Sequence, residues 1–221
     1  MKRMIQMLCV ADEIDLLVYS PSIRERFGDA DLVLSAGDLP DEYLEYIASM
    51  LNRPVIAVAG NHDAPDDPIS AVRFSPRRFG TRLERTHFRI KTESGVSILG
   101  IPGCIRYNKG GNQFTDAGMT WKLLKLVPLL LLRRLLYGRA VDVVLAHAPP
   151  RGIHDGGDQA HKGFSAFLWL MRIARPAYFV HGHVHLYDAQ ELREQRFGDT
   201  IVVNVYGHRV LTLEKEYRNV P

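Results

Sequence analysis

The chain reads as an α/β fold built on a largely parallel sheet, and three features of the sequence predict it. Apolar runs at residues 4–10, 31–36 and 55–59 alternate with helical patterns, a rhythm that implies right-handed crossovers. The runs are apolar almost throughout, as strands covered on both faces are. Each also stops at a polar group, namely Asp12, Asp38 and Asn61-His62-Asp63, on the strand edge where open α/β sheets bind ligands.

At 221 residues and 46% hydrophobic, the chain can bury a full core without disulfides or structural metal. One domain over residues 1–221 is expected. A net charge of only +3, with no long basic block interleaved with aromatics, argues against a specific nucleic-acid partner. Cys9 and Cys104 lie far apart and match no zinc or redox spacing, so a reduced, cytoplasmic setting is the default.

Taken in order, residues 4–10 form the first strand. Ser20-Pro21 then opens a helix that Gly28 closes. Residues 31–36 are the second strand, and Asp41 caps a helix to Leu51 with Tyr43, Leu44, Ile47 and Leu51 on one stripe. Residues 55–59 form the third strand, and residues 65–85, broken by prolines and arginines, read as loop. Residues 86–91 and 96–101 read as two strands joined through Glu93-Ser94-Gly95. A Gly- and Asn-rich loop follows, then a helix over 119–137 and a strand over 141–146 ending at His147. Beyond a loop carrying His154, Asp155, Asp158 and His161, a helix over 163–175 leads to a strand over 177–180. That strand ends at His181-Gly182-His183-Val184-His185, and strands at 200–205 and 209–213 complete the chain.

Five runs therefore end in Asp12, Asp38, Asn61-His62-Asp63, His147 and His183/His185. Carboxylate and amide oxygens mixed with imidazoles, without thiolates, suit a divalent ion such as Mn, Fe, Co, Ni or Zn. The blocks Asp12, Gly37-Asp38, Gly60-Asn61-His62-Asp63, His147 and Gly182-His183-Val184-His185 follow one another as in the calcineurin-like metallophosphoesterases, a family this sequence resembles. The resemblance implies a four-layer αββα sandwich, two mixed sheets face to face with helices outside. It also implies two divalent cations, with Asp38 bridging a first site of Asp12 and His185 and a second of Asn61, His147 and His183. By the same resemblance His62 is no ligand but acts on the phosphoryl group or the leaving oxygen, with Asp63 orienting its ring.

The first block departs from the family pattern. Where the family has Asp-x-His, this chain has Asp12-Glu13-Ile14, and isoleucine cannot bind metal. Asp15, Glu13 or water could fill the gap, or only the second site is populated; a carboxylate there would favour Mn. Arg106 is a candidate for a substrate phosphate, and His154 for the substrate pocket that this loop commonly shapes in the family.

The helix over 119–137 is apolar nearly all round and holds no acid, and Lys122, Lys125 and Arg133 fall on one stripe. Pro128 is expected to kink it. Packing, a homodimer contact or a lipid interface would each use such a helix, the last making the protein peripheral to a membrane. The expected function is hydrolysis of a small-molecule or lipid-linked phosphomonoester or phosphodiester. The rival is a metal-poor scaffold on the same fold.

Overall fold

The first apolar run becomes strand β1 (Lys2–Ala11), and its alternation sets the layering of everything after it. The computed structural model describes residues 2–63, 83–188 and 192–216. Ile5, Met7, Cys9 and Ala11 face one buried layer, while Leu8 and Val10 face another, as a period of two requires. β1 pairs in parallel with β2 (Leu32–Ser35), followed by β3 (Val55–Ala57) and β4 (Leu83–Arg85). On its other side β13 (Gly207–Glu216) returns antiparallel, giving the sheet order β13-β1-β2-β3-β4.

The second sheet comprises β5 (Arg89–Glu93), β6 (Val96–Ile101), β9 (Val143–Ala146), β10 (Tyr178–His181), β11 (Glu194–Phe197) and β12 (Thr200–Asn204). Its order is β11-β12-β10-β9-β6-β5, and a small ladder joins β7 (Cys104–Ile105) to β8 (Gln113–Phe114). Ile5, Met7, Leu34 and Ile56 of the first sheet pack on Ile98, Val143, Leu145 and Val180 of the second. Helices α1 (Ile23–Phe27) and α2 (Asp41–Leu51) bury Ile23, Tyr43, Leu44 and Ile47 on the outer face of the first sheet. Helices α3 (Asp116–Leu124), α4 (Val127–Tyr137) and α5 (Ala166–Ala174) bury Met119, Leu123, Leu130, Phe167 and Leu170 on the outer face of the second. The architecture is the four-layer αββα sandwich.

Several boundaries differ from the sequence reading, each for a physical reason. The expected helix over 119–137 is two helices, α3 and α4, and Pro128 lies in the first turn of the second. A proline there costs no intrahelical bond, so it starts a helix instead of kinking one. The stripe expected of Lys122, Lys125 and Arg133 does not survive the break. Residues 83–85, read as loop, form edge strand β4, while the rest of that loop lies outside the described residues. β11, with the sequence Glu-Gln-Arg-Phe, carries no apolar pattern, because an edge strand needs none. Helix α2 begins at the expected Asp41, but the carboxylate pairs with Arg85 at 2.7 Å instead of capping.

Buried Asp142 pins the layers together. Its Oδ2 accepts from the Ser97 backbone (2.8 Å), the Ser97 hydroxyl (2.7 Å) and Lys215 Nζ (2.6 Å), joining β6, the start of β9 and β13 across both sheets. Burial alone would raise its pKa, but Lys215 and Ser97 outweigh burial and lower it. Its contribution is therefore present above the ordinary carboxylate range and is lost as pH falls through the depressed folded value. Asp142→Ala should destabilise the protein by about 2–4 kcal/mol, the lower end reflecting the partial exposure of Lys215. Thermal unfolding near neutral pH measures this, and an unchanged midpoint would show that the bridge adds nothing.

Candidate metal centre

Three of the strands that reach the site are followed by a residue in the left-handed region. Asp12 follows β1 at φ 65°, Asp38 follows β2 at 56°, and His183 follows β10 at 67°. Non-glycine residues rarely adopt this backbone, and such strain clusters at functional sites. Here it turns each side chain back over the sheet edge. Nearby glycines leave room for that turn. A Cβ on Gly60 would lie 2.0 Å from Asp38 Oδ1, and one on Gly182 would lie 2.3 Å from Asp12 Oδ2.

Asp38 and His147 form the centre, one from each sheet. His147 Nδ1–H donates to the Ala36 carbonyl at 2.8 Å, so its Nε2 faces inward. That nitrogen lies 2.9 Å from Asn61 Oδ1 and 3.3 Å from Asp38 Oδ2. Two oxygens converging on one ring nitrogen need either a proton or a cation between them. Burial alone would lower the His147 pKa, but the bond to Asp38 and its charge outweigh burial and raise it. Asp38 is correspondingly held low by His147 and by the His62 backbone N–H (2.8 Å), against the effect of its own burial. His183 completes the group. Among the described residues, Asp38, His147 and His183 each offer a ligand atom, all within 4.8 Å of one another. His183 Nε2–H donates to the Ala160 carbonyl at 2.8 Å, leaving Nδ1 unprotonated, and burial holds the ring neutral with a pKa of about 3.

Asp12 stands beside this group. Its Oδ2 accepts the His183 backbone N–H at 2.9 Å, while its Oδ1 is buried without a partner. Burial raises its pKa to about 6. An orphaned carboxylate oxygen next to two imidazoles is a donor set that fits a divalent cation. His185 lies at the more open side, its ring 4.8 Å from that of Tyr206, and burial lowers its pKa.

A family model for calcineurin-like phosphoesterases matches residues 11–187, spanning every one of these donors. The chain belongs to the calcineurin-like phosphoesterase family. One solved structure aligns with 98% of this chain and all of its own at 14% identity and a TM-score of 0.69. The protein TT1561 of Thermus thermophilus aligns over 93% of this chain and 90% of its own, at 14% identity and a TM-score of 0.64. Vacuolar Protein Sorting 29 from Cryptosporidium parvum covers 91% of this chain and 73% of its own at 14% identity, with a TM-score of 0.42. These identities bear on fold alone, and the last score is too low to carry an argument. No curated protein matches the chain.

Within this calcineurin-like phosphoesterase the remaining expected residues fall in different places. The His62 side chain is exposed beside Asn61, on a loop tied to Asp38 through its backbone. Asp63 was expected to orient the His62 ring. Instead its Oδ2 takes the backbone N–H groups of Gly60 (2.7 Å) and Asp38 (3.2 Å), so it shapes the loop. Asp15 bonds His208 at 2.5 Å and the Leu17 N–H at 2.8 Å, which removes it as the substitute for the missing histidine at Ile14. Glu13 is exposed and bonds Tyr206, whose ring lies 4.8 Å from that of His185; burial, then that bond, raise the Tyr206 hydroxyl to about 12.

Arg106 donates to the Gln113 carbonyl at 3.3 Å and so braces its own loop. The neighbouring Tyr107, passed over in the sequence, accepts from Asn61 Nδ2 at 3.1 Å and thereby aims Asn61 Oδ1 at His147. His154 bonds the buried His181 at 3.1 Å. Tyr107, Tyr206 and His181 carry no spacing signal, because each is brought to the site by a loop or by the second sheet.

Asp12 binds its proton more readily folded than unfolded. Its contribution is therefore favourable below the unfolded value near 4 and is lost as pH rises through about 6. At pH 7.5 the metal-free protein then carries a buried charge that His147 and the His183 backbone N–H offset only in part. Asp12→Asn should raise its melting temperature by roughly 2–4 °C, an advantage that shrinks below pH 6. Equal midpoints at both pH values would show that Asp12 is not strained.

Proposed function

We propose that this protein is a metal-dependent phosphoesterase hydrolysing a phosphomonoester or phosphodiester, small-molecule or lipid-linked, by attack of water. The observation that carries this reading is the convergence of Asn61 Oδ1 and Asp38 Oδ2 on His147 Nε2, at 2.9 and 3.3 Å, with His183 alongside. Asp38, Asn61, His147 and His183 would hold one divalent cation, and Asp12, Asp38 and His185 a second, weaker for want of a ligand at Ile14. Manganese is the leading candidate because the first site adds carboxylate and no thiolate. Bound divalent cations make water a better nucleophile at neutral pH and offset the charge that builds on phosphorus.

The chain's own residues would do the rest. Asp63 holds the Gly60–Asp38 turn, so Asn61 and His62 project together over the sheet edge. Tyr107 keeps the Asn61 amide oriented. Imidazole is the side chain best suited to moving a proton near neutral pH, and the exposed His62 is placed to hand one to the leaving oxygen. A scaffold would have no use for that histidine, which favours an enzyme.

Elemental analysis with bis-p-nitrophenyl phosphate turnover across added Mn, Ni, Co and Zn tests the reading. Metal together with turnover supports it, and neither at any metal would leave the scaffold. Asp38→Asn should lose more metal and more activity than Asp12→Asn, because Asp38 is proposed for both sites; intact metal content in that variant would refute the bridge. His62→Ala should lower turnover roughly 10²–10⁴-fold with bound metal unchanged. Loss of metal there would make His62 a ligand.

A further inference from the structure

Helix α4 is turned the wrong way round for a surface helix. Within it only Leu130 is fully buried. Leu129, Leu131, Leu132, Leu135 and Leu136 lie on its solvent side, with Leu135 83%, Leu136 56% and Leu132 53% exposed. At 100° per residue these five share one continuous face. The charged residues that would normally occupy it point the other way. Arg133 Nε–H donates to the Ala140 carbonyl at 2.7 Å, and Arg134 donates to the carbonyls of Arg172 (3.2 Å) and Ile173 (3.3 Å). These bonds fasten the helix with its leucines outward. Trp121 of α3, 69% exposed, and Tyr137 at the end of α4, 66% exposed, bracket the leucines in sequence.

The segment that carries this face holds charge of one sign. No acid occurs between Asp116 and Asp142, while Lys122, Lys125, Arg133, Arg134 and Arg139 all do. A cavity of about 490 Å³ opens at the C-terminal end of α4, lined by Tyr137, Gly138, Arg139, Arg175, Arg196 and Asp199. Asp199 pairs with Arg175 at 2.5 Å, which leaves Arg139 and Arg196 to set the sign of the cavity.

We infer that α4 docks on an anionic lipid bilayer. The helix lies in the plane of the interface, with its leucines among the acyl chains and Arg139 and Arg196 meeting headgroup phosphates. Crossing the bilayer is ruled out by length: α4 is 11 residues, about 16 Å, and among the described residues no helix is long and apolar enough to span. An amphipathic helix with a leucine and aromatic face flanked by basic residues binds such interfaces by apolar burial plus attraction to anionic lipid. A second copy of the chain fits worse. Two such faces meeting about a twofold axis would bring the cations of this acid-free segment against one another. The inference does not depend on the metal site.

Sedimentation of the full chain with vesicles tests it, using phosphatidylcholine alone and phosphatidylcholine mixed with phosphatidylglycerol. The protein should partition onto the mixed vesicles and not onto phosphatidylcholine alone, and added salt should release it. Leu135→Glu with Leu136→Glu should weaken partitioning at least roughly tenfold. Arg139→Ala with Arg196→Ala should weaken it roughly ten- to thirtyfold. Both pairs are exposed, so thermal unfolding should stay near wild type. No partitioning, equal partitioning onto both vesicles, or partitioning unaffected by the leucine pair would overturn the inference. So would a dimer in sedimentation equilibrium that the leucine pair dissolves, since a second copy would then cover the face.

Discussion

The contact between Asp38 and His147 is the one on which the rest of the site depends. Asp38 ends a strand of the first sheet and His147 ends a strand of the second. The two meet only because the apolar faces of those sheets are pressed together. His147 also returns a hydrogen bond across the gap to the Ala36 carbonyl, and Asp12 does the converse by accepting from the His183 backbone. The inter-sheet core therefore sets the register of the donors. A shift of one sheet against the other would separate carboxylates from imidazoles before it exposed much apolar surface. Asp142 resists such a shift from within the sandwich, because its three bonds hold elements of both sheets.

The site is built at a local cost. Asp12, Asp38 and His183 sit in left-handed backbone, Asp12 keeps an oxygen buried without a partner, and burial holds its carboxyl above the ordinary range. The orphaned oxygen and the buried carboxyl disfavour the metal-free protein and would be relieved by a cation, which is how binding energy becomes folding energy. Such features are expected where function and stability compete. The loop of residues 103–113 shares the load. Asn112 donates to the carbonyls of Gly60 and Asp63, and Gly103 donates to Ala59, so the Asn61 turn is held from the side as well as from below.

Helix α4 shows a different compromise. Its arginines supply hydrogen bonds inward and its leucines face out, although the reverse would serve solubility better. Leu130 is buried on the outer side of the second sheet, and the arginine bonds fasten the helix there in this arrangement. A surface that receives the leucines explains it more simply than a core that does not.

Much of this protein could be read from its residues in order. The parallel strands were legible because strands buried on both faces must be apolar throughout. The donors were legible because a strand's C-terminal edge is fixed by where its apolar run stops, so Asp12, Asp38, Asn61, His147 and His183 announce themselves. Family membership followed from the same blocks. What the order of residues could not determine was which groups meet across the two sheets. Asp63 turned to backbone N–H groups, Asp15 went to His208, and Tyr107 and Tyr206 came to the site from segments without periodicity. The outward leucines of α4 belong to the same class. Proline placed at a first turn and proline placed within a helix look alike in sequence, and only the packing of α3 against its neighbours decided where one helix ended and which face the next would show.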